Sequence, residues 1–205
     1  MSERYPTVLM FGPPGSGKGT QGKAIGTIPG FFHLSCGDVF RQLNANSELG
    51  RVFLEYSTKG ELVPDDVTVR MWHAHLQNQA QSGQYDPAHD LLILDGIPRN
   101  APQAGMLDAH IDVLNIVHLV CSDDKAMIER LRRRALKENR LDDTKEDVIR
   151  NRWRVYEKET TPVLAHYDKG LIADVDALPT PAEVLHGVLE VLIPVQKAYR
   201  ATVED

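Results

Sequence analysis

The sequence predicts an α/β fold, three layers deep, with helices on both faces of a five-stranded parallel sheet. Three observations predict it. Short apolar runs alternate with longer segments of helical period along the 205 residues, the mark of a parallel sheet wrapped by helices. The first apolar run ends in a glycine-rich turn that opens directly into a helix-compatible segment. No internal repeat, low-complexity stretch or long linker interrupts the alternation, so a single domain is expected.

In chain order, the apolar runs place strands near residues 7–11, 31–34, 91–94, 114–120 and 171–175. Helical period places helices near 18–28, 39–45, 48–57, 66–81, 102–111, 123–134, 145–166 and 181–193. Two stretches break the pattern. Residues 36–65 fit short helices inserted between core strands and end at Gly60-Glu61-Leu62-Val63-Pro64, whereas residues 134–144 are polar and follow neither period. Insertions of this kind beside an anion-binding turn carry a second substrate and a cover over it; solvated connections are the plainer alternative.

The turn is Gly12-Pro13-Pro14-Gly15-Ser16-Gly17-Lys18-Gly19-Thr20, following Val8-Leu9-Met10-Phe11. Its glycines let successive backbone N–H groups turn inward, the helix start adds partial positive charge, and Lys18 adds a full one. A di- or triphosphate tail fits such a cradle, and the spacing and flanking elements favour that over a surface turn. Gly19 stands where Ser or Thr usually follows the lysine, and Thr20 comes one residue later. A direct hydroxyl contact to Mg²⁺ is therefore not assured.

Charge points the same way. The net charge is −6, which implies no general attraction to nucleic acid or to an anionic membrane. Yet eight of the 14 arginines lie between Arg130 and Arg154, a concentration that suggests a local anion site. Cys36 and Cys121 are far apart and form no CxxC, so neither a disulfide framework nor a zinc cluster follows. The start of the chain shows no apolar leader, and no run reaches the roughly 20 apolar residues of a membrane helix. A cytoplasmic, reduced, soluble protein is expected.

Leu91-Leu92-Ile93-Leu94-Asp95 reads as a buried strand ending in a carboxylate, and Gly96-Ile97-Pro98-Arg99 follows. A carboxylate beside a phosphate loop is where Mg²⁺ or its water shell is held. The glycine allows close approach, and Arg99 offers a forked donor. Arg134, Arg140 and Arg152 flank the second insertion, and several convergent arginines suit the charge of phosphoryl transfer. Arg130, Arg132 and Arg133 fit a salt-bridged helix face with Glu129. Asp142-Asp143 is either an exposed turn or a support for arginines. His73 and His75, two apart on a helix, point away from each other and suggest no metal pair. Trp72 and Trp153 are expected to pack.

Together these residues make the chain similar to the adenylate kinase family of nucleoside monophosphate kinases over nearly its full length. The matching blocks are residues 12–21, His33 to Arg41, Gly60 to Pro64, Asp95 to Gln103, and Arg140-Leu141-Asp142-Asp143 followed by Arg152 and Tyr156. The Gly19-Thr20 ending is itself a feature of that family. The resemblance implies a P-loop NTPase-like, three-layer αβα core (1–35, 66–133, 145–205) with a small helical insertion (36–65) that binds the monophosphate. It also implies a short lid (134–144).

By the same resemblance, Gly15, Ser16, Gly17, Lys18, Gly19, Thr20 and Arg134 would bind ATP. Lys18 would hold the β/γ-phosphates, and Thr20 and the loop amides the α/β region. Cys36, Gly37, Arg41, Val63, Gly96, Arg99, Gln103, Arg140 and Arg152 would bind AMP. Lys18, Arg99, Arg134, Arg140 and Arg152 would carry catalysis. Asp95 would hold Mg²⁺ through water, and Asp142 and Asp143 would support the lid. Only five residues separate Arg134 from Arg140, so the zinc positions of longer lids are missing and no zinc is expected. Cys36 replaces the family's usual Thr, and Asn139 a common Gly.

The implied reaction is reversible transfer from Mg·ATP to AMP giving two ADP, by a monomer that binds neither nucleic acid nor membrane. A pyrimidine monophosphate kinase is the nearest rival, suggested by Asn100 and Cys36. A GTPase-type switch is opposed by the lack of N-K-x-D and D-x-x-G motifs, and an inactive scaffold by the presence of Lys18, Arg99, Arg140 and Arg152.

Overall fold

The structure, a computed structural model, describes residues 4–138 and 145–203; the expectations for Asn139, Arg140, Asp142 and Asp143 lie outside these residues. Five strands, β1 (Tyr5–Phe11), β2 (Phe31–Ser35), β3 (Leu91–Asp95), β4 (Ile111–Val120) and β5 (Ile172–Asp176), form one sheet in the order β2-β3-β1-β4-β5. Every pairing is parallel, as the sequence predicts. Helices α1 (Lys18–Ile25), α2 (Cys36–Arg41), α3 (Glu48–Ser57), α4 (Asp65–Gln81), α5 (Ala101–Leu107), α6 (Asp124–Glu138), α7 (Glu146–Val155) and α8 (Pro181–Val203) connect and cover it.

The strands are apolar on both faces because both are covered. Successive residues point to opposite sides. Leu9, Phe11, Leu92, Leu94 and Ile116 pack with Trp72 and Leu76 of α4 and Ala104 and Leu107 of α5. Val8, Met10, Ile93, Val117 and Leu119 pack with Ile25 of α1 and Val184, Val188 and Leu192 of α8. Full burial of each such side chain contributes about 1.5–3 kcal/mol, so the two half-cores hold the strand ends, and the residues that follow them, in fixed relation.

Several element boundaries correct the sequence reading; α1 ends at Ile25 rather than 28, α2 lies at Cys36–Arg41 rather than 39–45, and α5 ends at Leu107 rather than 111. The helix expected over 145–166 breaks after Val155 into a π turn, Tyr156–Thr160, and a 3-10 segment, Thr161–His166. Pro162 lacks an N–H, and its ring clashes with the carbonyl four residues earlier, so the turn widens ahead of it. Helix α6 continues to Glu138, through residues read as having no period; Arg-Ala-Leu-Lys-Glu are all good helix formers. Strand β4 begins at Ile111 rather than 114, because Ile111 pairs with Tyr5 and the Tyr5 N–H bonds His110 O at 2.9 Å. Helix α8 runs ten residues past 193, through an exposed Pro194. Its far half is anchored by Gln196 Nε2 donating to Pro29 O (3.1 Å) and the Tyr199 hydroxyl donating to Ala88 O (3.0 Å).

Candidate active site

Strand register assembles the site. Met10 lies opposite Asp95, and Ser35 lies opposite Asp95 on the other side. The segments that follow β1, β3 and β2 therefore leave the sheet at the same edge: the glycine loop, Gly96–Arg99 and Cys36–Arg41. This is the carboxyl edge of a parallel sheet, where open α/β folds bind ligands.

The loop is shaped by glycines at positive φ. Gly12 (φ 149°) passes so close to its neighbours that a Cβ would lie 2.7 Å from Ser16 Oγ and 2.8 Å from Leu119 O. Gly17 (φ 98°) caps α1 without a side-chain hydrogen bond, which leaves the helix's first N–H groups for an anion. Lys18 Nζ donates to Gly12 O (2.6 Å) and Pro13 O (3.2 Å), so the ammonium is aimed across the loop with a third N–H to spare. The Lys18 pKa is lowered to about 8, chiefly by desolvation; Asp95 opposes the shift, and Arg99, Arg134 and Arg152 add to it. One buried cation thus feels three more cations and one carboxylate.

Asp95, at the end of β3, is buried. A Cβ on Gly19 would sit in contact with Asp95 Oδ2, at 3.7 Å, so the glycine keeps the loop's helix start clear of the carboxylate, and both residues line the cleft. A hard carboxylate oxygen facing a cleft beside a phosphate loop fits Mg²⁺. Among the described residues no three His, Cys, Asp or Glu side chains converge on a metal position; such a cation would complete its shell with phosphate oxygens and water.

Across the cleft, Arg99 is braced from three sides. Its Nε donates to Gly96 O (2.8 Å), its backbone N–H to Gln103 Oε1 (2.8 Å), and its carbonyl accepts from Thr160 Oγ1 (2.8 Å). Arg41 pairs with Asp38 at 2.9 Å. Cys36 is 2% exposed, and burial pushes its thiol up to about 12, so it stays protonated. Gly60 (φ 72°) brings the 36–65 segment against α7, where a Cβ would meet Val148 O at 2.8 Å and Arg152 Cγ at 3.0 Å. Asn151 Nδ2 closes the same junction on Lys59 O at 2.7 Å.

One continuous cleft is lined by Gly15, Gly17, Lys18 and Gly19, by Cys36, Gly37 and Arg41, by Val63, Asp95, Gly96, Arg99 and Gln103, and by Arg134 and Arg152. Ser16 is buried beneath the loop, and Thr20 is exposed outside the cleft lining. Arg130 turns away from the cleft and donates to Ala177 O (2.5 Å) and Leu178 O (2.7 Å), so it tethers the segment after β5 rather than joining a solvated ion pair. Arg132 reaches Glu146 and so joins α6 to α7, and Arg133 pairs with Glu129 at 3.0 Å.

Several residues in the cleft wall or behind it carry no role in the sequence reading. Asp65, the first residue of α4, accepts from Asn100 Nδ2 and Gln103 Nε2, both at 2.8 Å. Its only sequence signal is an acid in a helix's first turn. Tyr156 lines the cleft with its hydroxyl 3.3 Å from His118 Nε2, while His118 Nδ1 lies 2.8 Å from Asp174. Phe40 and Phe53 stack at 5.2 Å in the cleft wall. Asn100, a hint of pyrimidine specificity in the sequence, plays a local part in the structure. Its Oδ1 caps α5 by accepting from the Gln103 N–H at 2.9 Å.

Comparison with known proteins agrees with this geometry. The family model described as "Adenylate kinase" matches residues 10–172. The chain is 38% identical to an adenylate kinase of Kocuria rhizophila over 191 residues, 90% of this chain and 97% of that one. It is 39% identical to an adenylate kinase of Nocardia farcinica, over 90% of this chain and 98% of that one. A Thermobifida fusca adenylate kinase is 36% identical over 90% and 97% respectively. Glycine loop, strand-end aspartate and arginine-lined cleft belong to a chain matched along most of its length, and the chain is a member of the adenylate kinase family of nucleoside monophosphate kinases.

Proposed function

We propose that this chain catalyses reversible, Mg²⁺-dependent transfer of the γ-phosphoryl group of ATP to AMP, giving two ADP. The observation that carries the reading is the single cleft in which the Lys18 loop faces Arg99, Arg134 and Arg152, with a largely buried amide and thiol at its far wall. Charge spreads over the transferring oxygens, and convergent cations already fixed in place stabilise it without reorganising.

In this reading Lys18 binds the β- and γ-phosphates, the loop amides with Thr20 bind the α/β region, and Arg134 approaches the same tail. Arg41 and Arg99 grip the AMP phosphate, and Arg152 spans the gap between the two nucleotides, with Arg140 as its counterpart. Cys36, Gly37, Val63, Gly96 and Gln103 surround the base. Asp95 would orient Mg²⁺ through water; when bound, the ion neutralises phosphate charge and holds the oxygens in line. Residues 36–65 serve as the monophosphate-binding insertion and 134–144 as a short lid, with Asp142 and Asp143 supporting it. Closure excludes water and completes the arginine set.

The test is a coupled assay with ATP against AMP, UMP, CMP and GMP in parallel. The expected outcome is a kcat/KM for AMP at least about tenfold above UMP or CMP, the discrimination available from hydrogen bonds at the base edge. A better rate with UMP or CMP would overturn the adenylate reading while leaving phosphoryl transfer in place.

A further inference from the structure

Gln103 is 1% exposed and forms part of the cleft wall. Two hydrogen bonds determine which end of its amide lies where. Asp65 Oδ1 accepts from Nε2 at 2.8 Å, and the Arg99 backbone N–H donates to Oε1 at 2.8 Å. A carboxylate only accepts and a backbone N–H only donates, so turning the amide over would set oxygen against oxygen and N–H against N–H. Asp65 is itself steadied, since Asn100 Nδ2 donates to the same Oδ1 at 2.8 Å and Asn100 is engaged as the cap of α5.

The amide therefore keeps one N–H and one oxygen lone pair for a ligand, in a fixed order. That order distinguishes two nearly isosteric bases. A 6-amino purine offers an amine donor beside a ring-nitrogen acceptor; a 6-oxo purine offers a carbonyl acceptor beside a ring N–H donor. An amide that can rotate by half a turn reads both, and a locked one reads a single pattern. We propose that Asp65 is a positioning residue that locks the Gln103 amide and so makes the site select 6-amino over 6-oxo purine monophosphates. The inference rests on the adenylate reading above, in which Gln103 meets the base.

The test compares AMP and inosine 5′-monophosphate as acceptors at saturating ATP, in the intact protein and in its Asp65→Ala and Asp65→Asn variants. Asp65→Ala is expected to lower the AMP-to-IMP ratio of kcat/KM by about tenfold, because the amide loses one of its two restraints. The change should fall on KM, which rises for AMP and drops for IMP, more than on kcat. Asp65→Asn retains an oxygen that accepts from both amides and should keep most of the ratio. A general loss of structure would lower both substrates together and leave the ratio unchanged. A cooperatively melting Asp65→Ala protein with the wild-type ratio overturns the proposal, as does an Asp65→Asn protein that loses it equally. If Asp65→Ala fails to fold, Asp65→Ser shortens the reach while keeping a polar first-turn residue, and the same ratio decides. A wild-type protein inactive on AMP would instead overturn the adenylate reading itself.

Discussion

The two walls of the cleft are built in opposite ways. On the glycine-loop side, recognition groups come from one contiguous segment and are mostly backbone: the first N–H groups of α1, with Lys18 tied to Gly12 O and Pro13 O. On the facing side, the groups are side chains drawn from α2, the β3–α5 turn, α5 and α7, and Arg41, Gln103 and Arg99 are each held by the side chain of another residue. A backbone cradle is set by φ and ψ alone and accepts any phosphate tail. A side-chain pocket needs partners to set its donors and acceptors, and that is where discrimination between bases arises.

The largest effect should follow from removing the one charged side chain on the backbone-built wall. Lys18→Ala should lower kcat by on the order of 10²–10³ while the fold survives, because the loop is shaped by its positive-φ glycines rather than by the ammonium. A folded variant with near-normal steady-state turnover would show that the loop does not hold the reacting phosphates. Arg152→Lys probes the other wall. Lysine keeps the charge but not the planar fork, so kcat should fall by about tenfold or more while ATP affinity, measured by equilibrium titration, changes little. A large loss of ATP affinity at constant kcat would make Arg152 a ground-state contact and blur the division between the walls.

The pH dependence should also differ between walls. The pKa of Lys18 in the fold is about 8, below the 10.5 of an unconstrained lysine. The unfolded chain therefore binds this proton more tightly, and the group's contribution to stability grows as pH rises from about 8 towards 10.5. A phosphate tail favours the charged form, so its binding takes up a proton above the lower value. ATP affinity should drop by about fivefold between pH 8 and pH 9, as expected for one proton with that midpoint. Calorimetry in buffers of different ionisation enthalpy would report the uptake directly. Affinity flat across this interval, with no proton taken up, would mean that Lys18 does not meet the phosphates.

The same division decides how much could be read in advance. The loop is legible because its ligands are contiguous and its spacing is a backbone requirement. Strands β1 and β3 were recognisable because full burial leaves continuous apolar runs, and Asp95 marked the edge where the site forms. The facing wall was legible only in part. Asp65 and Gln103 are 38 positions apart, and nothing local announces that one orients the other. Arg130, Arg134 and Arg152 look alike within one basic stretch, yet the fold turns Arg130 to the Ala177 carbonyl and the other two into the cleft. The break at Tyr156 has a cause in Pro162, which the helical period over 145–166 does not register. That break carries Tyr156 and Thr160 to the cleft and Thr160 to the Arg99 carbonyl.

The smallest expected effect tests the side-chain wall at its most unusual residue. Cys36 follows Ser35, the cap of α2, and is almost fully buried beside Arg99 and Arg41. A protonated thiol is a weak donor and a weak acceptor, so it fills the corner of the pocket at little polar cost. Cys36→Thr would place a hydroxyl there. If the AMP base reaches it, one neutral hydrogen bond contributes roughly 0.5–1.5 kcal/mol, which bounds the gain in AMP KM at about tenfold; about two- to threefold is expected once the crowding of the added methyl group is included. Without AMP the same hydroxyl would be buried without an assured partner, so the variant should melt lower than the parent and recover part of the difference when AMP is added. A variant with a lower melting temperature that AMP does not restore, and an unchanged AMP KM, would place the base away from this corner. Selectivity on this wall would then rest on Gln103 and its partners.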